Sequence, residues 1–104
     1  MDAGGDADGM IWIILPPKSL YTFGPVVLHD MEARQELVRG EMGRTILLAG
    51  ETSDLGVAWG RGNTPPVKLR FVAQAGHVYR LFWLTEGFGA GMSVIDMNQG
   101  LLHR

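Results

Sequence analysis

The sequence predicts an all-β domain: a small antiparallel β-sandwich or partly open barrel of seven to eight strands. Three observations carry this. Short runs rich in Val, Ile, Leu and aromatic residues recur along the chain, with turn residues every eight to twelve positions. Several runs alternate apolar and polar residues with the period of two that marks a half-buried strand. Gly accounts for 15 of the 104 residues and falls mostly between the runs, where it suits turns and breaks helices.

Val67–Met97 is the organising stretch, read as three consecutive strands joined by two turns. In Val67–Gln74, Val67, Leu69, Phe71 and Ala73 share one face, and Lys68, Arg70 and Gln74 the other. Ala75-Gly76 supplies a tight reversal. In the next strand Tyr79, Leu81 and Trp83 alternate with Val78, Arg80 and Phe82, so both faces are largely apolar and a central position is expected. Thr85–Gly91 is too glycine-rich for a helix and reads as a link to a last strand, Met92–Met97.

Earlier in the chain, residues 1–9 are small and acidic, as in a disordered leader or tether. Residues 10–100 form the single domain, and 101–104 a tail. Met10–Leu15 is a buried strand stopped by Pro16-Pro17. Pro25–His29 is the second strand. For 30–39 the expectation is a polar turn over Asp30–Arg34 and a short strand Gln35–Arg39. A helix capped by Asp30 and ended by Gly40 is the alternative. Gly40–Gly43 is a turn, Thr45–Ala49 a strand, and Leu55–Trp59 a strand with Leu55, Val57 and Trp59 inward. Gly60–Pro66 is a long hairpin loop.

Composition excludes several chemistries. The chain has no cysteine, hence no disulfide, thiolate nucleophile or Cys-ligated zinc. Its net charge is −2 with no basic block, which argues against nucleic acid as a partner. The longest apolar run, Met10–Leu15, is too short to cross a membrane.

No catalytic, cofactor or metal residue can be assigned. His29, Asp30 and Glu32 are close in sequence, but neighbouring strand residues face opposite ways and would not converge without a bulge. Asp6, Asp8 and Gly9 match only a fragment of a calcium loop. Ser19, Ser53 and Ser93 lack a nucleophile-elbow setting. Gly87, Gly89 and Gly91 would need a following helix to cradle phosphate, and a strand is expected there instead. Asp96 interrupts an apolar strand and is expected to face water or to meet Arg70 or Arg80.

Five features carry a resemblance to a known family. Leu15-Pro16-Pro17-Lys18-Ser19 follows the opening strand. Asp30 precedes Leu37-Val38-Arg39-Gly40-Glu41. Leu48-Ala49-Gly50 leads to a strand ending in Trp59, and Ala75-Gly76-His77-Val78-Tyr79 matches an Ala-Gly-x-x-Tyr hairpin. In these the chain resembles small bacterial envelope lipoproteins of unknown function with a prealbumin-like or PEGA-like β-sandwich. It departs from them in having Ala49-Gly50 where a Pro-Gly turn is usual, and in lacking the lipid-carrying cysteine. The resemblance implies a periplasmic-side location in the cell envelope, with Asp2–Gly9 as a tether if a lipid anchor once preceded it; a cytoplasmic location is the alternative. It implies no catalytic residues.

The functional expectation is a non-catalytic accessory domain that binds a protein partner, or a second copy of itself, through a sheet edge or loops. Trp59, Arg61, Asn63, Phe88, Tyr21 and Phe23 are the candidate contacts. A lipid- or sugar-binding sandwich is the second expectation and a small hydrolase the third. No cofactor is expected.

Overall fold

The computed structural model describes residues 9–18, 25–50, 53–60, 63–86, 89–98 and 100–101. The strands are β1 Met10–Ile14, β2 Val26–Asp30, β3 Gln35–Gly40, β4 Thr45–Ala49, β5 Ser53–Trp59, β6 Val67–Ala73, β7 Val78–Glu86, β8 Gly89–Asp96 and the two-residue β9 Gly100–Leu101. They form two sheets, β4-β1-β7-β8-β9 and β3-β2-β5-β6. The sheets face each other as a sandwich and do not close into a barrel.

The inward faces follow the alternation of the sequence. Ile11 and Ile13 of β1, Ile46 of β4, Tyr79 and Leu81 of β7, and Met92 and Val94 of β8 come from one sheet. Val26, Leu28, Leu55, Val57, Trp59, Leu69, Phe71 and Ala73 come from the other. Each Val, Leu, Ile, Met or Phe side chain among these contributes about 1.5–3 kcal/mol when taken fully out of water.

Residues 30–39 form a hairpin, not a helix. Asp30 Oδ1 accepts the backbone N–H groups of Glu32 and Ala33 at 3.0 and 3.1 Å, which fixes the turn. Arg34 closes it with φ of 56°, in the left-handed region. The pairing shifts between Leu28 and His29: Leu28 faces Val38 and His29 faces Glu36, so Leu37 is the extra residue of a bulge.

Three expectations are corrected. The first concerns the step from β6 to β7, which is not a hairpin: β6 lies in one sheet and β7 in the other. Gly76, with φ of 85°, turns the chain across the gap between them. Tyr79 is fully buried, and its hydroxyl oxygen accepts the Gln74 backbone N–H at 2.6 Å, tying the start of β7 to the end of β6. A buried tyrosine bonded to backbone a few residues upstream is the device that immunoglobulin-type sandwiches use at a corner between sheets. Burial pushes the phenol pKa up; the Gln74 bond opposes this and the nearby Asp96 carboxylate adds to it.

The second concerns strand direction: β1 pairs with β7 in parallel, with Ile13 opposite Tyr79, so the larger sheet is not wholly antiparallel. The third concerns the glycine-rich stretch after β7, most of which is strand. The β7–β8 ladder runs from Tyr79↔Asp96 to Glu86↔Gly89. Of the expected leader 1–9 and tail 101–104, residues 1–8 and 102–104 lie outside the described residues; Gly9 O accepts Gly50 N, and Leu101 pairs with Ile95 as strand, not tail.

Two stability measurements test this account. Tyr79→Phe keeps the ring but leaves the Gln74 amide without its acceptor, so unfolding in urea should lose about 1–2 kcal/mol with an unchanged slope. On the surface, Arg70 Nε donates to Asp54 Oδ1 at 2.9 Å across β5 and β6. The hydrogen bond from Arg70 holds the Asp54 carboxyl below its ordinary value of 3.8, against a smaller push upward from burial. The contribution is therefore complete above about pH 3.8 and fades as pH falls through the lowered folded value. The stability gap between the wild type and Asp54→Asn should be constant near neutrality and narrow in acid; a gap that widens in acid would contradict the assignment.

Candidate functional site

Of the six sequence-derived contacts, Trp59 and Asn63 lie among the described residues. Trp59 is in the core, 8% exposed, with its ring edge-on to Trp83 at 5.8 Å between centroids. Lys68 Nζ donates to the Trp59 backbone oxygen at 2.9 Å and sits 5.1 Å from the ring centroid. The indole is thus used internally, and it offers no platform to a partner. Asn63 is exposed, and its backbone oxygen accepts Arg39 Nη2 at 2.9 Å, which ties the β5–β6 connection to β3. Arg61, Phe88, Tyr21 and Phe23 lie outside the described residues.

The titratable groups are mostly structural. Among the described residues no three His, Asp or Glu side chains gather as metal ligands. Asp30 is occupied by the turn it caps, despite the bulge beside His29. Asp96 does not meet an arginine: it is 1% exposed, and its Oδ2 lies 2.8 Å from His77 Nδ1. Its Oδ1 accepts the Asn98 backbone N–H at 2.8 Å, and Asn98 Oδ1 accepts the Val78 N–H at 3.2 Å. Arg70 is engaged by Asp54, and Arg80 stands exposed on the outer face opposite Ile95. The inward parity of Asp96 follows from its place opposite Tyr79, whereas Ser93 has the opposite parity. The His77–Asp96 pair therefore has no serine aligned with it on β8. It pins the turn after β8 to the corner before β7.

The sheet margins differ in how they meet solvent. An edge strand exposes unpaired backbone groups, and proteins blunt such edges with charge, bulges or brevity. Strand β3 carries the Leu37 bulge and the Arg39–Glu36 ion pair at 2.8 Å. Strand β6 presents Lys68 and Arg70. Strand β9 is two residues long, and the neighbouring part of β8, Met92–Val94, is at most 5% exposed. Strand β4, Thr-Ile-Leu-Leu-Ala, has no charge, no proline and no bulge.

Backbone phase shows what β4 offers. Leu15 N donates to Arg44 O at 3.0 Å, and Gly50 N to Gly9 O at 2.8 Å. These bonds continue the β1–β4 register, in which Met10 faces Ala49 and Ile14 faces Thr45. Bonded and non-bonded positions alternate along an antiparallel ladder. Positions 44, 46, 48 and 50 therefore turn to β1, and Thr45, Leu47 and Ala49 direct N–H and C=O away from it. Among the described residues no strand lies on that side. Leu47 is 50% exposed there.

A groove of about 500 Å³ runs beside this edge, between β3 and β4, lined by Val38, Arg39, Gly40, Glu41, Arg44, Thr45, Ile46 and Leu47. It is open to solvent along one side. One of its lining residues is Gly40, where an added Cβ would lie 2.6 Å from Ile46 Cδ1 and 3.3 Å from Leu15 Cδ1. Sequence reasoning found β4 as a strand but not as an edge, because strand order is not carried by local pattern. No family model, curated protein or solved structure matches this chain.

Removing the buried carboxylate tests whether the corner is structural. Asp96→Ala strips acceptors from His77 and from the Asn98 amide, and should cost roughly 2–4 kcal/mol in chemical unfolding. A loss under about 0.5 kcal/mol, the size of an ordinary surface substitution, would show that the corner stands without it.

Proposed function

We propose that this domain is a non-catalytic interaction module of the bacterial cell envelope, which takes a protein partner as an added strand along β4. The observation that carries it is the unguarded backbone of Thr45, Leu47 and Ala49 at the margin of an otherwise protected sandwich. Strand addition draws affinity from main-chain hydrogen bonds and selectivity from alternate side chains. On β4 those are Thr45, Leu47 and Ala49 on the outer face, and Ile46 and Leu48 on the core side. The envelope setting rests on the motif resemblance between Leu15 and Tyr79.

Small-molecule binding is less well supported, since ligand clefts usually bury 70–90% of a ligand and this groove is open. Asp30 is engaged in a turn cap, Asp54 in a cross-strand ion pair, and His77 with Asp96 in a corner.

Amide exchange reads the proposal directly. A capped synthetic peptide of the β4 sequence, added to dilute protein, should slow exchange at Thr45, Leu47 and Ala49 and leave the β3 and β6 margins unchanged. Unchanged exchange at those three amides with peptide in large excess would sink the proposal.

A further inference from the structure

We infer that the strand β4 receives is β4 of a second copy, in antiparallel register about a two-fold axis at Leu47. The inference rests on the strand-addition proposal and names its partner. In that register Leu47 faces Leu47 of the other copy, and Thr45 faces Ala49. These are the three residues whose backbone groups turn away from β1. Each copy brings three N–H and three C=O groups, so pairing about Leu47 satisfies every one of them in six bonds. The interface is isologous, as a closed dimer requires. A one-residue slip would bring the positions already bonded to β1 into the line and leave the outward groups unmatched.

The side chains agree with the backbone. No charge lies on β4, so no like charges are set opposite each other. Position 46 faces position 48 of the other copy, which directs each Leu48 toward the other copy's groove. Val38 and Leu48 are partly buried hydrophobic residues packed against the core, and a second copy would take them further out of water. On the outer face Trp12 stands beside Leu47, and the two-fold axis joins the Trp12–Leu47 pairs of both copies into one apolar strip. The two five-stranded sheets then become one continuous sheet.

The absence of cysteine makes the register directly testable. Paired Cα atoms at bonded positions lie about 5.5 Å apart, whereas residues four places out of register are roughly 13 Å apart. Leu47→Cys should therefore be joined into a covalent dimer by a very short bis-thiol reagent. Thr45→Cys should not be joined alone, but should be when mixed with Ala49→Cys. Native mass spectrometry of the wild type should show a concentration-dependent dimer. Leu47→Lys should abolish the dimer while keeping the β-sheet circular dichroism, because Leu47 is half exposed and its loss leaves the core intact.

A dimer that survives Leu47→Lys, or that cross-links equally through Leu37→Cys on β3, would overturn the inference. A wild-type monomer at high concentration would also overturn it. If the β4 peptide still protected Thr45, Leu47 and Ala49 in that monomer, the edge would remain a docking site for a different chain. If it did not, the strand-addition proposal would fall as well.

Discussion

The chain changes sheets between Gln74 and Tyr79, and the sandwich depends on how that crossing is held. Two separate bonds do it. The Tyr79 hydroxyl fastens the crossing to the end of β6, and the Asp96 carboxylate fastens it, through His77, to the turn after β8. Both groups are buried, so each bond is shielded from competing water. Gly76 N also donates to Met10 O at 2.7 Å, and Trp12 N to His77 O at 3.2 Å, so β1 is drawn onto the same point. That contact explains the parallel pairing of β1 with β7. β1 takes its direction from the corner and is then left with one further side to fill, which β4 occupies. The position of β4 at the margin is thus a remote result of how the corner is built.

Most of the strand pattern was legible in the sequence because side-chain alternation reports burial directly. The bounds of β4 and the inward set Leu55, Val57 and Trp59 are recovered as read. Asp30 as a turn residue was legible because a carboxylate at that position satisfies two backbone donors with no tertiary help. What could not be read was long-range. Ala75-Gly76 has the composition of a hairpin turn, and only the buried Tyr79 separates a corner from a hairpin. The charge of Asp96 suggests water or an arginine as its partner, yet the partner is a histidine 19 residues away. Val67 shares parity with Leu69 in sequence but is 37% exposed, because the β5–β6 register shifts between Val57 and Ala58. The sequence suggests both an inward and a contact role for Trp59, and the structure packs its ring against Trp83 in the core.

The candidate site was less legible than the fold for a definite reason. Its character lies in backbone groups, and every residue brings the same ones. Which of them face a neighbour depends on strand order and ladder phase. Thr45, Leu47 and Ala49 become distinctive only once β1 is known to sit on one side and no described strand on the other. Sequence could supply the complementary half of the argument, the lack of charge, proline or bulge in Thr45–Ala49.

The contrast between β3 and β4 gives that lack its meaning. The two strands are joined by four residues, 41–44, and lie on either side of one groove, yet they meet solvent by opposite means. β3 bears a bulge at Leu37 and an ion pair between Glu36 and Arg39. A charge at position 47 would have guarded β4 at little structural cost, since that side chain is half exposed and bears no core load. A side chain at Gly40 would press on Ile46, which would have to shift to admit it. An open margin beside a guarded one is what the proposed strand addition requires.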